Sequence, residues 1–161
     1  MIRAGRAEDS PALGRIYAGA WKAAYRGIVP DDFLDSLTAE KAAPPPAAVS
    51  PDNCFVYEAD GAAVALVNFG PGRDGGDEDK AEIRSIYILP DYWRCGIGSG
   101  LFRAAEDALR QAGYSKLFLW VLADNARARA FYARMGMHES VSRSIEIAGM
   151  PLTELRYEKS I

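Results

Sequence analysis

The chain has 161 residues, 49% of them hydrophobic and 25% charged, which fits one globular domain long enough to bury its own core. Its 19 Lys and Arg against 22 Asp and Glu leave a formal charge of -3, which argues against a general binder of nucleic acid or anionic membranes. The lone histidine, His138, and two cysteines in unrelated contexts, Cys54 and Cys95, are too few for a zinc site or a disulfide framework. With no apolar run of membrane-spanning length and no signal-like start, the expectation is a single cytoplasmic domain over 1–161 that uses no metal.

Residues 2–5 open as a short strand. Ser10-Pro11 reads as a helix cap followed by proline in the first turn. Leu13, Ile16, Tyr17, Ala20, Trp21 and Ala24 then form one helical stripe, which Gly27 is placed to end. A second short helix follows Pro30 through Phe33, Leu34 and Leu37, and Pro44-Pro45-Pro46 stops further helix. Cys54 to Ala59 is strand-like, Asp60-Gly61 is a hairpin turn, and the partner strand runs from Ala63 to Phe69. An acidic, glycine-rich loop from Gly70 to Lys80 leads into Ala81–Leu89, whose near-continuous strand formers predict a central strand buried on both faces. Gly96 to Gly100 reads as a glycine-rich turn, Leu101 to Ala112 as a helix, and Leu117 to Leu122 as an apolar strand. Asn125 caps a short helix ended by Gly136, and strands over 138–147 and 152–158 close the chain. The predicted fold is α/β (mixed α+β): a mixed sheet of about seven strands flanked by about four helices, in the order β-α-α-β-β-β-α-β-α-β-β.

The segment from Tyr87 to Leu101 carries the strongest chemical signal, passing from strand through glycine turn to helix. Such a turn lets backbone N–H groups converge at the positive end of a helix, which suits a phosphate or pyrophosphate; a purely structural turn is the plain alternative. Its GxGxG spacing is neither the GxGxxG of dinucleotide folds nor a Walker GK[ST], which weakens both nucleotide readings.

Ala81 to Leu101, together with Asn125-Ala126-Arg127-Ala128-Arg129-Ala130-Phe131-Tyr132-Ala133-Arg134-Met135-Gly136, resembles the GNAT superfamily of acyl-CoA-dependent N-acyltransferases. The first block is similar to that family's strand, pyrophosphate loop and helix, and the second to its NxxAxxFYxxxGF junction. Trp21 to Pro30 is similar to the first-helix segment of many bacterial members. Two positions depart from the pattern. Trp93 stands where the loop usually has Gln or Arg, with Arg94 one residue later, and Met137 replaces the Phe after Gly136.

The resemblance implies an acetyl-CoA co-substrate, no metal, and a primary amine acceptor, either a small molecule or a peptide. Ile86, Tyr87 and Ile88 would offer backbone groups to the pantetheine arm, though their side chains also suit a core. Arg94, Cys95, Gly96, Ile97, Gly98 and Ser99 would wrap the pyrophosphate, with Cys95 filling a variable position. Asn125 would cap its helix and reach the pantetheine, or cap alone. Tyr132, two turns on and on the same face, would act as general acid or pack as core. Glu82, fourteen residues before Gly96, matches the family's strand glutamate as general base, or is a solvated carboxylate. Simple alternation puts it on the face of Ile86 and Ile88, unless a bulge intervenes. Trp21 and Tyr25 would line the acceptor pocket while packing. Asp74, Asp77, Glu78, Asp79 and Glu82 suggest an acidic rim that steers a cationic amine, or a merely solvated loop. A catalytically silent acyl-CoA sensor of the same fold is the alternative function, and the choice between monomer and homodimer stays open.

Overall fold

The computed structural model describes residues 1–77 and 79–161. In chain order the main elements are β1 (Ile2–Ala4), α1 (Ser10–Ala24), α2 (Asp31–Ser36), α3 (Ala39–Ala42), β2 (Cys54–Ala59), β3 (Ala62–Pro71) and β4 (Ala81–Ile88). They continue with α4 (Ile97–Gln111), β5 (Lys116–Leu122), α5 (Ala126–Arg134), β6 (His138–Ile147) and β7 (Met150–Ser160). The strands form one seven-stranded sheet in the order β1-β2-β3-β4-β5-β7-β6. Every neighbouring pair is antiparallel except β4 and β5. Among the described residues no helix is long and apolar enough to cross a membrane.

The continuous apolar run of β3 follows from burial on both sides of the sheet. Ala65, Val67 and Phe69 join Leu101, Phe102 and Leu117 in one cluster, while Leu66 packs with Leu13, Ile16 and Val56 in another. The first lies under α4 and the second under α1. A third cluster joins Val29, Leu34 and Leu122 to Trp21, Tyr25 and the apolar end of the β6–β7 hairpin. Both hairpin turns use paired positive φ: Asp60 (50°) with Gly61 (76°), and Ala148 (51°) with Gly149 (78°), the twist that matches the flanking strands.

Two boundaries differ from expectation. Thr38 accepts a hydrogen bond from Lys41 N and starts a four-residue α3, just ahead of the proline block. The helix expected from Leu101 begins instead at Ile97, so only Gly96 is a left-handed turn residue (φ 77°), and Gly98 and Gly100 lie inside α4. They are small there because of their neighbours: a Cβ on Gly98 would lie 3.1 Å from Ile88 Cδ1, and one on Gly100 would lie 3.1 Å from Ile2 Cδ1.

The feature that shapes the site is β4. Its register against β3 slips between Phe69–Ile83 and Asn68–Ser85, leaving Arg84 as a bulged residue. Against β5 it pairs only at Ala81–Leu117 and Glu82–Phe118, after which the two parallel strands diverge.

Candidate active site

Where β4 and β5 part, a cleft of about 470 Å³ opens between α1, α4, α5 and the end of β7. One end is built largely from backbone. Leu89 N–H donates to Val64 O on β3 (3.0 Å), so by alternation the polar groups of Ile86 and Ile88 face the unpaired edge. Trp93 Nε1 donates to Ile88 O at 2.8 Å, closing the strand's last carbonyl and leaving the Ile88 N–H and both Ile86 groups free of β5. Gly96, Ile97, Gly98 and Ser99 line the cleft as the first turn of α4, with the helix's unpaired N–H groups and positive end directed there. Arg94, at φ 64°, lines the same end. The Arg127 guanidinium lies on the Trp93 ring at 3.4 Å. Burial and the nearby Arg94 charge lower its pKa, the mark of cations gathered without an anion. Asn125 Oδ1 accepts from Ala128 N (3.2 Å), capping α5, and Tyr132 follows two turns later on the cleft side. Burial pushes the Tyr132 phenol well above its ordinary value, with Tyr25 adding to the effect, so it keeps its proton at neutral pH.

Side chains from five parts of the chain build the other end. Trp21 and Tyr25 stack edge-on at 4.7 Å beside Trp120, and Tyr25 is likewise raised above the ordinary tyrosine value by burial. Trp120 Nε1 donates to Asp74 Oδ2 (2.7 Å), and the Arg143 guanidinium covers the Trp120 ring at 3.8 Å. Arg143 bridges Asp74 Oδ1 (3.1 Å) and Glu154 Oε2 (2.9 Å). Glu154 is the one carboxylate among the described residues that line the cleft.

The sequence model of the acetyltransferase (GNAT) family matches residues 15–137. The chain belongs to that family. YuaI of Bacillus subtilis (strain 168), an uncharacterized N-acetyltransferase, is 28% identical over 155 residues, which is 96% of this chain and 89% of that protein. The ribosomal protein bS18-alanine N-acetyltransferase of Escherichia coli (strain K12) is 38% identical over 65 residues, 40% of this chain and 44% of that protein. The PaiA N-acetyltransferase from Thermoplasma acidophilum, crystallised with coenzyme A, shares the fold with a TM-score of 0.78 at 20% identity, over 100% of this chain and 98% of that one.

The cleft of this GNAT domain gathers most of the residues singled out from the sequence: Trp21, Tyr25, Ile86, Tyr87, Ile88, Arg94, Gly96, Ile97, Gly98, Ser99, Asn125 and Tyr132 all line it. Tyr87 reaches it from the α1 face, edge-on to Tyr17 at 4.8 Å, with burial holding its phenol well above the usual value. Cys95 is exposed and does not line the cleft, and its Sγ points back to Trp93 O at 3.5 Å.

Glu82 requires a correction of place. The bulge at Arg84 shifts the alternation, so Ala81 and Ile83 share the α4 face with Ile86 and Ile88, and Glu82 faces the opposite side. There it is buried, and both oxygens are held by Arg73: Oε1 by Nη2 at 2.7 Å and Oε2 by Nε at 3.0 Å. It pairs with Phe118 in register, one row deeper in the sheet than Trp120, and does not line the cleft. Most of the expected acidic rim is paired instead. Asp77 is buried against Arg156 and Lys80, Asp74 binds Arg143, and Glu82 binds Arg73, while Glu78 lies outside the described residues. These three carboxylates latch the 72–80 loop onto the sheet, and Asp79 is the rim member that stays exposed, with no ion pair among the described residues.

Sequence reasoning missed Arg127, Trp120, Arg143 and Glu154. Arg127 was visible inside the quoted junction, where an arginine beside a cap faces the glycine turn. Glu154 and Arg143 sit in exposed-looking β strands, and nothing local in the sequence sets them apart from solvated charges.

Proposed function

We propose that this GNAT domain transfers an acetyl group from acetyl-CoA to a primary amine, small molecule or peptide, by direct attack of the amine on the thioester. One observation carries the reading: a single cleft joins an unpaired strand edge, a cation-flanked helix N-terminus and a buried, protonated tyrosine. The coenzyme A bound to the Thermoplasma protein, and the alanine acted on by the Escherichia coli relative, support the co-substrate and the amine class.

Each residue's part follows from its chemistry. Ile86 and Ile88 offer amide groups to a pantetheine arm in the manner of an added strand. The N–H groups of Gly96 to Ser99, with Arg94 and Arg127, suit a pyrophosphate. A Cβ on Gly98 would press on Ile88 Cδ1 at 3.1 Å and touch Phe131 at 3.5 Å, so a branched side chain would have to displace Ile88 beside this surface. Asn125 already spends its oxygen on Ala128 N, so its role toward the arm falls to the amide nitrogen. Tyr132 donates a proton to the departing sulfur. For Glu82 to serve as base its two-point pairing with Arg73 must first part. We take the protein to act in the cytoplasm, without metal, and on neither nucleic acid nor membrane.

Release of free CoA from acetyl-CoA in the presence of a panel of primary amines tests the proposal. At least one amine is expected to drive release at a rate well above hydrolysis. Binding of acetyl-CoA with no release for any amine would instead identify a silent sensor.

A further inference from the structure

The acceptor end of the cleft contains a device that the family's loop and tyrosine do not account for. Glu154 is tied through one oxygen only: Arg143 Nε holds Oε2 at 2.9 Å, and among the described residues Oε1 has no hydrogen-bond partner. Arg143 is itself fixed, through Asp74 at 3.1 Å and the Trp120 ring at 3.8 Å. Trp120 is in turn fixed by its indole bond to the same Asp74. Asp74 also meets Arg156 Nη1 at 3.8 Å, and in the connected cluster the carboxylates Asp74, Asp77, Glu154 and Glu158 outnumber the cations Arg143, Arg156 and Lys80 by one, with Glu154 the member that lines the cleft. Around it stand the aromatic walls of Trp21, Tyr25 and Trp120, and the apolar Leu122 directly opposite on β5. A carboxylate with aromatic faces beside it recognises an organic ammonium, through charge and through the negative faces of the rings.

Resting on the acetyltransferase reading above, we infer that the acceptor enters as a cationic primary amine, and that Glu154 both seats its ammonium and takes its proton. The amine must lose that proton before it can attack, since a free alkylamine with a pKa near 10.4 is almost wholly protonated at neutral pH. Glu154 Oε1 accepts one proton from the ammonium. The freed lone pair forms the N–C bond to the acetyl carbonyl carbon, and the C–S bond breaks with its electrons leaving on sulfur. The second proton on the nitrogen passes to water as the amide forms, and sulfur gains one from Tyr132, which takes one back from water. Glu154 then returns its proton to water, so one proton is released per turnover. The groups facing Glu154 are Arg143 on β6, Asp74 on the loop, Arg156 two residues along β7 on the same face, and Tyr25 just past α1.

Steady-state CoA release by wild type, Glu154→Gln and Arg143→Gln, with cationic primary amines over a range of pH, tests the inference. Acetyl-CoA affinity is measured separately by calorimetry. Glu154→Gln is expected to lower kcat/KM about a hundredfold near neutrality and to regain activity as rising pH deprotonates the amine. Its acetyl-CoA affinity should match wild type. Arg143→Gln keeps the carboxylate but frees it, and should give a smaller loss, mainly in KM. Wild-type kcat/KM in Glu154→Gln overturns the role of Glu154 while leaving the acetyltransferase reading intact. A loss that stays constant at all pH values overturns the proton-accepting role. Absence of CoA release by wild type with every amine overturns both.

Discussion

The two ends of the cleft are built on different principles. The end proposed for the coenzyme is made of backbone: an unpaired strand edge, one left-handed glycine and a helix N-terminus, supplied by the contiguous stretch from Ile86 to Ser99 with α5 beside it. The end proposed for the acceptor is made of side chains drawn from α1, the 72–80 loop, β5, β6 and β7, tied by ion pairs such as Asp74–Arg143 across 69 residues of sequence and Asp77–Arg156 across 79. On the proposed reading, backbone geometry serves a co-substrate common to the family and side-chain geometry serves the acceptor. A fold shared with proteins of differently named activities is expected to keep the first and vary the second.

The largest effect should come from breaking the latch that supports the acceptor end. Asp77 lies buried against Arg156 and Lys80, and Asp77→Asn would remove the carboxylate that both cations share, leaving Arg156 with Glu158 and Asp74, at a cost of up to about 3 kcal/mol in denaturant unfolding. The same pairing holds the Asp77 carboxyl at about 2, below its ordinary 3.8. A depressed carboxylate stabilises the fold above its ordinary pKa, so this stability should be lost as pH falls from 3.8 through about 2, and the mutant should lack that part of the acid transition. Next comes Gly98→Val at the coenzyme end. Acetyl-CoA at about a hundred times its dissociation constant should stabilise wild type by roughly 2.7 kcal/mol, and a thermal melt of the variant should show no such gain.

Tyr132→Phe sharpens the division, since the ring still packs against Phe131 and Phe102 while the proton is gone. Turnover should fall by about a hundredfold, with acetyl-CoA affinity unchanged in calorimetry. Glu82→Gln should loosen the Arg73 contact with little change in the pH–rate profile. A profile that loses activity near neutrality and recovers it at high pH would return Glu82 to the role of base. Smallest of all, Trp93→Phe removes the indole bond to Ile88 O and should cost about 1 kcal/mol of stability in a denaturant titration.

The same contrast explains what the sequence made legible. Asp60-Gly61 and Ala148-Gly149 announce their turns because positive φ is a local demand, met by local residues. The strand, glycine turn and helix of the coenzyme end are likewise contiguous, and only the helix start moved, because Gly98 and Gly100 are small for reasons of packing rather than of turning. Glu82 went to the other face for want of one fact, the bulge at Arg84, which strand alternation alone does not reveal. Glu154 had no local mark at all. It becomes a site residue only when the sheet order places β7 against β5, and β6 brings Arg143 beside it.

The most direct test of the division is calorimetric titration of acetyl-CoA into wild type, Gly98→Val and Glu154→Gln under one set of conditions. Wild type and Glu154→Gln should bind with the same affinity, and Gly98→Val should give no binding heat. Wild-type affinity in Gly98→Val, or its loss in a folded Glu154→Gln, would contradict the assignment of the two ends.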